Sequence, residues 1–97
     1  MIDLEVKIPS AAKAFARLET TIDRLIIVHE LTVTMKTTLS KHPGSIHWHA
    51  KRGRERGTLE ITLWPSQKRL WFSMQDGRQG DWVMPMARLL KQRLESL

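Results

Sequence analysis

Three times between residues 46 and 74 the side chains change character at every position. Ile46, Trp48 and Ala50 alternate with His47 and His49. Leu59, Ile61 and Leu63 alternate with Thr58, Glu60, Thr62 and Trp64. Leu70, Phe72 and Met74 alternate with Arg69, Trp71 and Ser73. A period of two belongs to strands with one buried face. The connections are Lys51-Arg52-Gly53-Arg54-Glu55-Arg56-Gly57 and Pro65-Ser66-Gln67-Lys68. Neither can house a crossover, so the strands must run antiparallel.

Ile2, Leu4, Val6 and Ile8 alternate with Asp3, Glu5 and Lys7, predicting a further strand that Pro9 ends. Ser10 is placed to cap a helix, and Lys13 stands where a capping box wants Glu or Gln. From Ala11 the apolar residues Ala14, Phe15, Leu18, Ile22 and Leu25 recur at three and four, the mark of an amphipathic helix. From His29 to Ser40 the odd positions are His, Leu, Val, Met, Thr and Leu, against Glu, Thr, Thr, Lys, Thr and Ser, which predicts a strand. His29 falls on the apolar parity and is expected to be half-buried. The rival is one helix through residues 10–40, about 45 Å long, followed by a three-stranded meander and a C-terminal helix (α-β-β-β-α). His42-Pro43-Gly44-Ser45 and Asp76-Gly77-Arg78-Gln79-Gly80 read as turns. Pro85 suits a helix's first turn, with Met86, Leu89, Leu90, Leu94 and Leu97 as its apolar face.

The favoured fold class is therefore α+β: a twisted antiparallel sheet in the order β-α-β-β-β-β-α, with two helices on one face. The 97 residues form a single domain, 1–97. On the face away from the helices the alternation sets His47, His49, Thr58, Glu60, Thr62, Trp64, Arg69, Trp71 and Ser73.

Charge and aromatic residues are unevenly spread. Residues 41–80 hold eight of the sixteen Lys and Arg, three of the four Trp and three of the four His, against three acids, Glu55, Glu60 and Asp76. A basic chain, with formal charge +6, suits an acidic partner or serves solubility alone. There is no cysteine, which excludes disulfides, thiol catalysis and Cys-ligated zinc. The chain shows no apolar run of bilayer length and no signal-peptide pattern at its start, so a cytoplasmic, non-membrane protein is expected. A domain of this size has little stability to spare, and dimerisation would add some.

The chemistry-bearing groups support three functions. The first is a small non-enzymatic interaction module that pairs with itself, or with another protein, through sheet or helix surfaces. The second is a nucleic-acid-binding domain. Trp64 and Trp71 would stack on bases, and Lys51, Arg52, Arg54, Arg56, Lys68 and Arg69 would meet phosphates. The third is a metal-dependent enzyme. His47-x-His49 sets two imidazoles on one strand face about 6–7 Å apart at Cα, with Glu60 or His42 as a third ligand. Without a definite third ligand the pair reads as imidazoles titrating near neutrality, able to meet a phosphate when protonated. No nucleophile–base pair, phosphate loop or cofactor fingerprint is present, so no cofactor is expected and the non-enzymatic readings come first.

Overall fold

The computed structural model describes residues 1–8, 12–75 and 80–97, and in the first helix the side chains of residue 15 and of 17 onward. The expected strand stop at Pro9, the cap at Ser10, the contributions of Ala11, Lys13 and Ala14, and the turn at 76–79 lie outside the described residues.

The elements are β1 (Ile2–Val6), α1 (Ala12–Val28), β2 (Thr32–Thr37), β3 (Ile46–Lys51), β4 (Leu59–Trp64), β5 (Arg69–Met74) and α2 (Val83–Glu95). The order is the expected β-α-β-β-β-β-α. All strand pairs are antiparallel, and the sheet runs β1-β5-β4-β3-β2. β1 and β2 are therefore the two edges, and α1 carries the chain from one to the other. Four strand spacings span about 19 Å. A 17-residue helix is about 25 Å long, enough to make that crossing. The rival 45 Å helix would exceed the longest dimension of the whole molecule, 36 Å.

The alternation read from the sequence becomes the core. Ala50, Leu59, Ile61, Leu63, Leu70, Phe72 and Met74 are buried beneath Leu18, Ile22 and Ile26 of α1 and Val83, Ala87, Leu90 and Leu94 of α2. Trp48 joins them, fully buried. Its indole N–H is donated to Asp23 of α1, which also receives Lys36 of β2. The α2 stripe is rotated from the expected one. Trp82 caps the helix and Val83 opens it, so the buried row is 83, 87, 90 and 94. Met86 and Leu89 are half-buried at its margin, and Leu97 is exposed.

α1 ends in a reciprocal pair of backbone bonds. Leu31 N–H reaches the Ile26 carbonyl and Glu30 N–H the Ile27 carbonyl, with Glu30 in the left-handed region at φ +60°. This is the Schellman arrangement, and Leu31 is buried in the same core cluster as Ile26, the hydrophobic pairing that often accompanies that motif. Residues 29–31 are thus a helix stop rather than strand. His29, half-buried as expected, sits in that turn with its N–H on the Leu25 carbonyl. β2 departs from simple alternation as well. The register shifts between Val33 and Met35, so Val33 pairs with Ala50 on the helix side while Met35 pairs with His49 on the other. Such a bulge exchanges the faces of all residues beyond it, and this is why Lys36 reaches Asp23 and Glu19.

Candidate metal centre

Pairing sets the residues of the outer face in rows. Thr37, His47, Thr62, Trp71 and Glu5 form one row across the five strands. Met35, His49, Glu60, Ser73 and Asp3 form the next. His49 and Glu60 are direct cross-strand partners, and His47 is two residues along β3 from His49. Two-residue spacing on one strand and one pairing to the neighbour therefore bring three ligand-bearing side chains together.

They converge closely. His47 Nε2 lies 3.1 Å from His49 Nε2. One Glu60 carboxylate oxygen lies 3.3 Å from His47 Nε2 and 3.6 Å from His49 Nε2. Four-coordinate zinc with ligands at about 2.0–2.1 Å has ligand–ligand edges of about 3.3–3.4 Å. The three distances bracket that value. Two imidazoles and a carboxylate are also a donor set used for catalytic zinc and for non-haem iron. The grouping has a physical demand of its own. Three lone-pair-bearing atoms within 3.6 Å of one another repel unless a proton or cation lies among them.

The far nitrogen of His47 is also held. His47 Nδ1 lies 2.7 Å from Thr62 Oγ1, and both residues are almost wholly buried. A ring that donates Nδ1–H to Thr62 has its Nε2 lone pair directed at the cluster, the tautomer a metal ligand needs. Burial, with the nearby His49 second, pushes the His47 pKa below its ordinary value, against the opposing pull of Glu60. The shift favours the neutral form of His47, the form that can ligate.

The face away from the helices is not open to water throughout. His47, Thr62 and Ser73 retain only 6%, 1% and 6% of their exposure. The β2–β3 connection, residues 38–45, turns back toward this face through bonds from Ser45 N–H to the His42 carbonyl and from Leu39 N–H to Ser45 Oγ. The His42 ring stacks on Trp64, centroids 4.4 Å apart and 10° from parallel, and tilts against Trp71 at 5.3 Å. The Trp64 indole N–H is donated to the Pro43 carbonyl. Between this loop and the sheet is a cleft of about 430 Å³, lined by His47, Glu60 and Thr62, by Lys41 and His42 from the loop, and by Asp3, Trp71 and Ser73.

The residues expected to form one polyanion surface are separated. Trp64, Lys68 and Arg69 lie at one end of β4 and β5, while Lys51 and the loop to Arg56 lie at the other. One face of Trp64 is occupied by His42, and the Arg69 guanidinium stands 4.5 Å over Trp71. Arg69 is also bound through two nitrogens to both oxygens of Glu5, and Arg52 pairs with Glu55. At the far end Trp82 donates its indole N–H to the Arg56 carbonyl, which ties the basic loop to the start of α2. Lys51, Arg54, Arg56 and Lys68 make no ion pair among the described residues.

Thr62 and His42 take structural parts at the site that parity alone does not assign. The cross-strand position of Thr62 beside His47 follows from register, and the stacking of His42 follows from the path of a loop. Comparison with protein-family models, with curated proteins and with solved structures gives no match.

Proposed function

We propose that this chain is a metal-binding domain. It holds one divalent transition-metal ion, zinc foremost, on His47 Nε2, His49 Nε2 and a Glu60 carboxylate oxygen. The observation that carries the reading is the convergence of these three atoms at 3.1, 3.3 and 3.6 Å. The buried Thr62 hydroxyl at His47 Nδ1 supports it, because an oriented outer partner is what ligating imidazoles need. Bound metal would supply Lewis acidity. The chain's own residues hold the ligand atoms together, fix the His47 tautomer and keep the His47 ring buried.

Competition against a chromophoric chelator tests this. One equivalent of zinc is expected per chain, lost in His49→Ala and Glu60→Gln variants that keep the wild-type circular dichroism. Zinc at 100 times its dissociation constant should also raise folding stability by about 2.7 kcal/mol. A metal-free protein that takes up no zinc and gains no stability would sink the reading.

Self-association is a second reading, favoured by the β2 edge. All six residues of that strand are exposed, and beside it Ile27 and Val28 are exposed at the end of α1, with Val33 and Met35 on the strand itself. An unpaired strand edge is a template for another strand. A second copy of this chain pairing antiparallel along β2 would cover it. Sedimentation equilibrium should then give a dimer mass that Met35→Glu reduces to the monomer. A monomer for wild type at high micromolar concentration would exclude the pairing.

A further inference from the structure

Among the described residues only three ligand-bearing side chains converge at the cluster, which leaves a fourth position for something other than protein. Sites of that kind keep the position for water or substrate, whereas structural zinc sites are closed by four protein ligands. His47 and Glu60 belong to the wall of the cleft under the 38–45 loop, so the fourth position has a space in which a ligand can be held.

Resting on the metal reading, we propose that the loaded cleft is a receptor for a small oxyanion, a carboxylate or phosphate group. One of its oxygens takes the metal's fourth position, and Lys41 and His42 meet the remainder. Three observations carry this. The first is charge. Asp3 and Glu60 are balanced by Lys41 and the Met1 ammonium in the lining of the cleft, so without metal it is formally neutral and with a divalent ion net positive. The cleft therefore attracts anions only when loaded. The second is His42. Its Nδ1 is buried without a hydrogen-bond partner, while its ring is fixed by stacking on Trp64 and by contact with Trp71. A buried polar nitrogen without a partner is destabilising, and an oxyanion held against His42 would supply the acceptor it lacks. The third is Lys41, an exposed cation on the same wall that makes no ion pair among the described residues. Asp3 is turned to another task, accepting a hydrogen bond from the Ser73 hydroxyl at 2.8 Å.

The test uses full-length protein loaded with Co²⁺, whose visible absorption reports a change of ligand. Acetate and inorganic phosphate are titrated separately. A saturable change is expected with at least one of them. Saturation by acetate alone assigns a carboxylate ligand, and by phosphate alone a phosphate. Lys41→Ala and His42→Phe should each weaken that binding about tenfold and leave Co²⁺ uptake unchanged. Phenylalanine keeps the ring stacked on Trp64, so loss of binding cannot be put down to a collapsed loop. One equivalent of Co²⁺ with a spectrum indifferent to both anions overturns the proposal and leaves the metal site standing. Anion affinities equal to wild type in both variants overturn it too, since the anion would then be held by the metal alone. Failure to take up Co²⁺ removes both readings.

Discussion

Replacing Thr62 by Val removes one hydroxyl from the interior and changes little else, because the two side chains are nearly isosteric. Thr62 is 1% exposed, and its hydroxyl oxygen stands 2.7 Å from His47 Nδ1, itself in a residue 6% exposed. Water has little access to either atom, so the His47 nitrogen would be left without a partner. That costs about 1–3 kcal/mol in the metal-free protein. The effect on metal affinity is a separate quantity. Without metal, the bond to Thr62 forms with the proton on either atom, because the hydroxyl can donate as well as accept. With metal on Nε2, the proton must be on Nδ1 and Thr62 must accept it. The variant therefore penalises the loaded state more, and outer partners of this kind are worth about 10–100-fold in affinity. Tenfold is 1.4 kcal/mol, so the two estimates are of one size. Urea denaturation of metal-free protein measures the first, and chelator competition at pH 7.5 the second. A Thr62→Val protein that is destabilised yet binds zinc as tightly as wild type would refute the assignment of Thr62 as the group orienting a ligand. It would leave the hydroxyl with a structural part only.

Three further outcomes follow from the structure. The His47 pKa is depressed below the ordinary 6.5, so as pH falls the unfolded chain takes up this proton first. Its contribution to stability is whole above about pH 6.5 and declines as pH falls from there toward the depressed folded value, a fall that His47→Gln should lack in urea melts. An equal fall in that variant would assign the loss to another group. Glu30→Gly should stabilise by about 1 kcal/mol, since a left-handed φ of +60° strains any residue with a Cβ. A lower thermal midpoint would mean that the Glu30 side chain contributes more than the strain costs. Gly80→Ala should destabilise by about 1–3 kcal/mol. A Cβ at Gly80 collides with the Arg56 carbonyl oxygen, the acceptor of the Trp82 indole N–H, and stands 3.0 Å from the Trp82 ring. Urea melts would decide it, and an unchanged midpoint would show that the 52–58 loop yields at no cost.

Period-two alternation in β1, β3, β4 and β5, and helical spacing in α1, were legible in the sequence because burial on one face repeats at the period of the backbone. They predict the α+β class, the antiparallel meander and the outer face of His47, His49, Glu60 and Thr62. Where α1 stops was not legible, because the left-handed stop is made by Glu30 instead of glycine. The seeming alternation through 29–40 runs across that stop and across a bulge at Val33/Met35, and neither has a local signature. The α2 stripe was misjudged because Val83, ahead of Pro85, already lies in the helix.

For the site, the sequence by itself determined which residues share a face, since parity is a property of one strand. It also separated the aromatic and basic residues into two turns, without showing that those turns lie at opposite ends. Tertiary structure alone decided the rest. Register across β3 and β4 set Glu60 beside His49 and Thr62 beside His47, and register is a relation between strands that depends on how the whole hydrophobic face seats under the helices. The 38–45 loop helps enclose the cleft in which His47 is buried and oriented by a buried hydroxyl, while register leaves both histidines within reach of a single carboxylate oxygen.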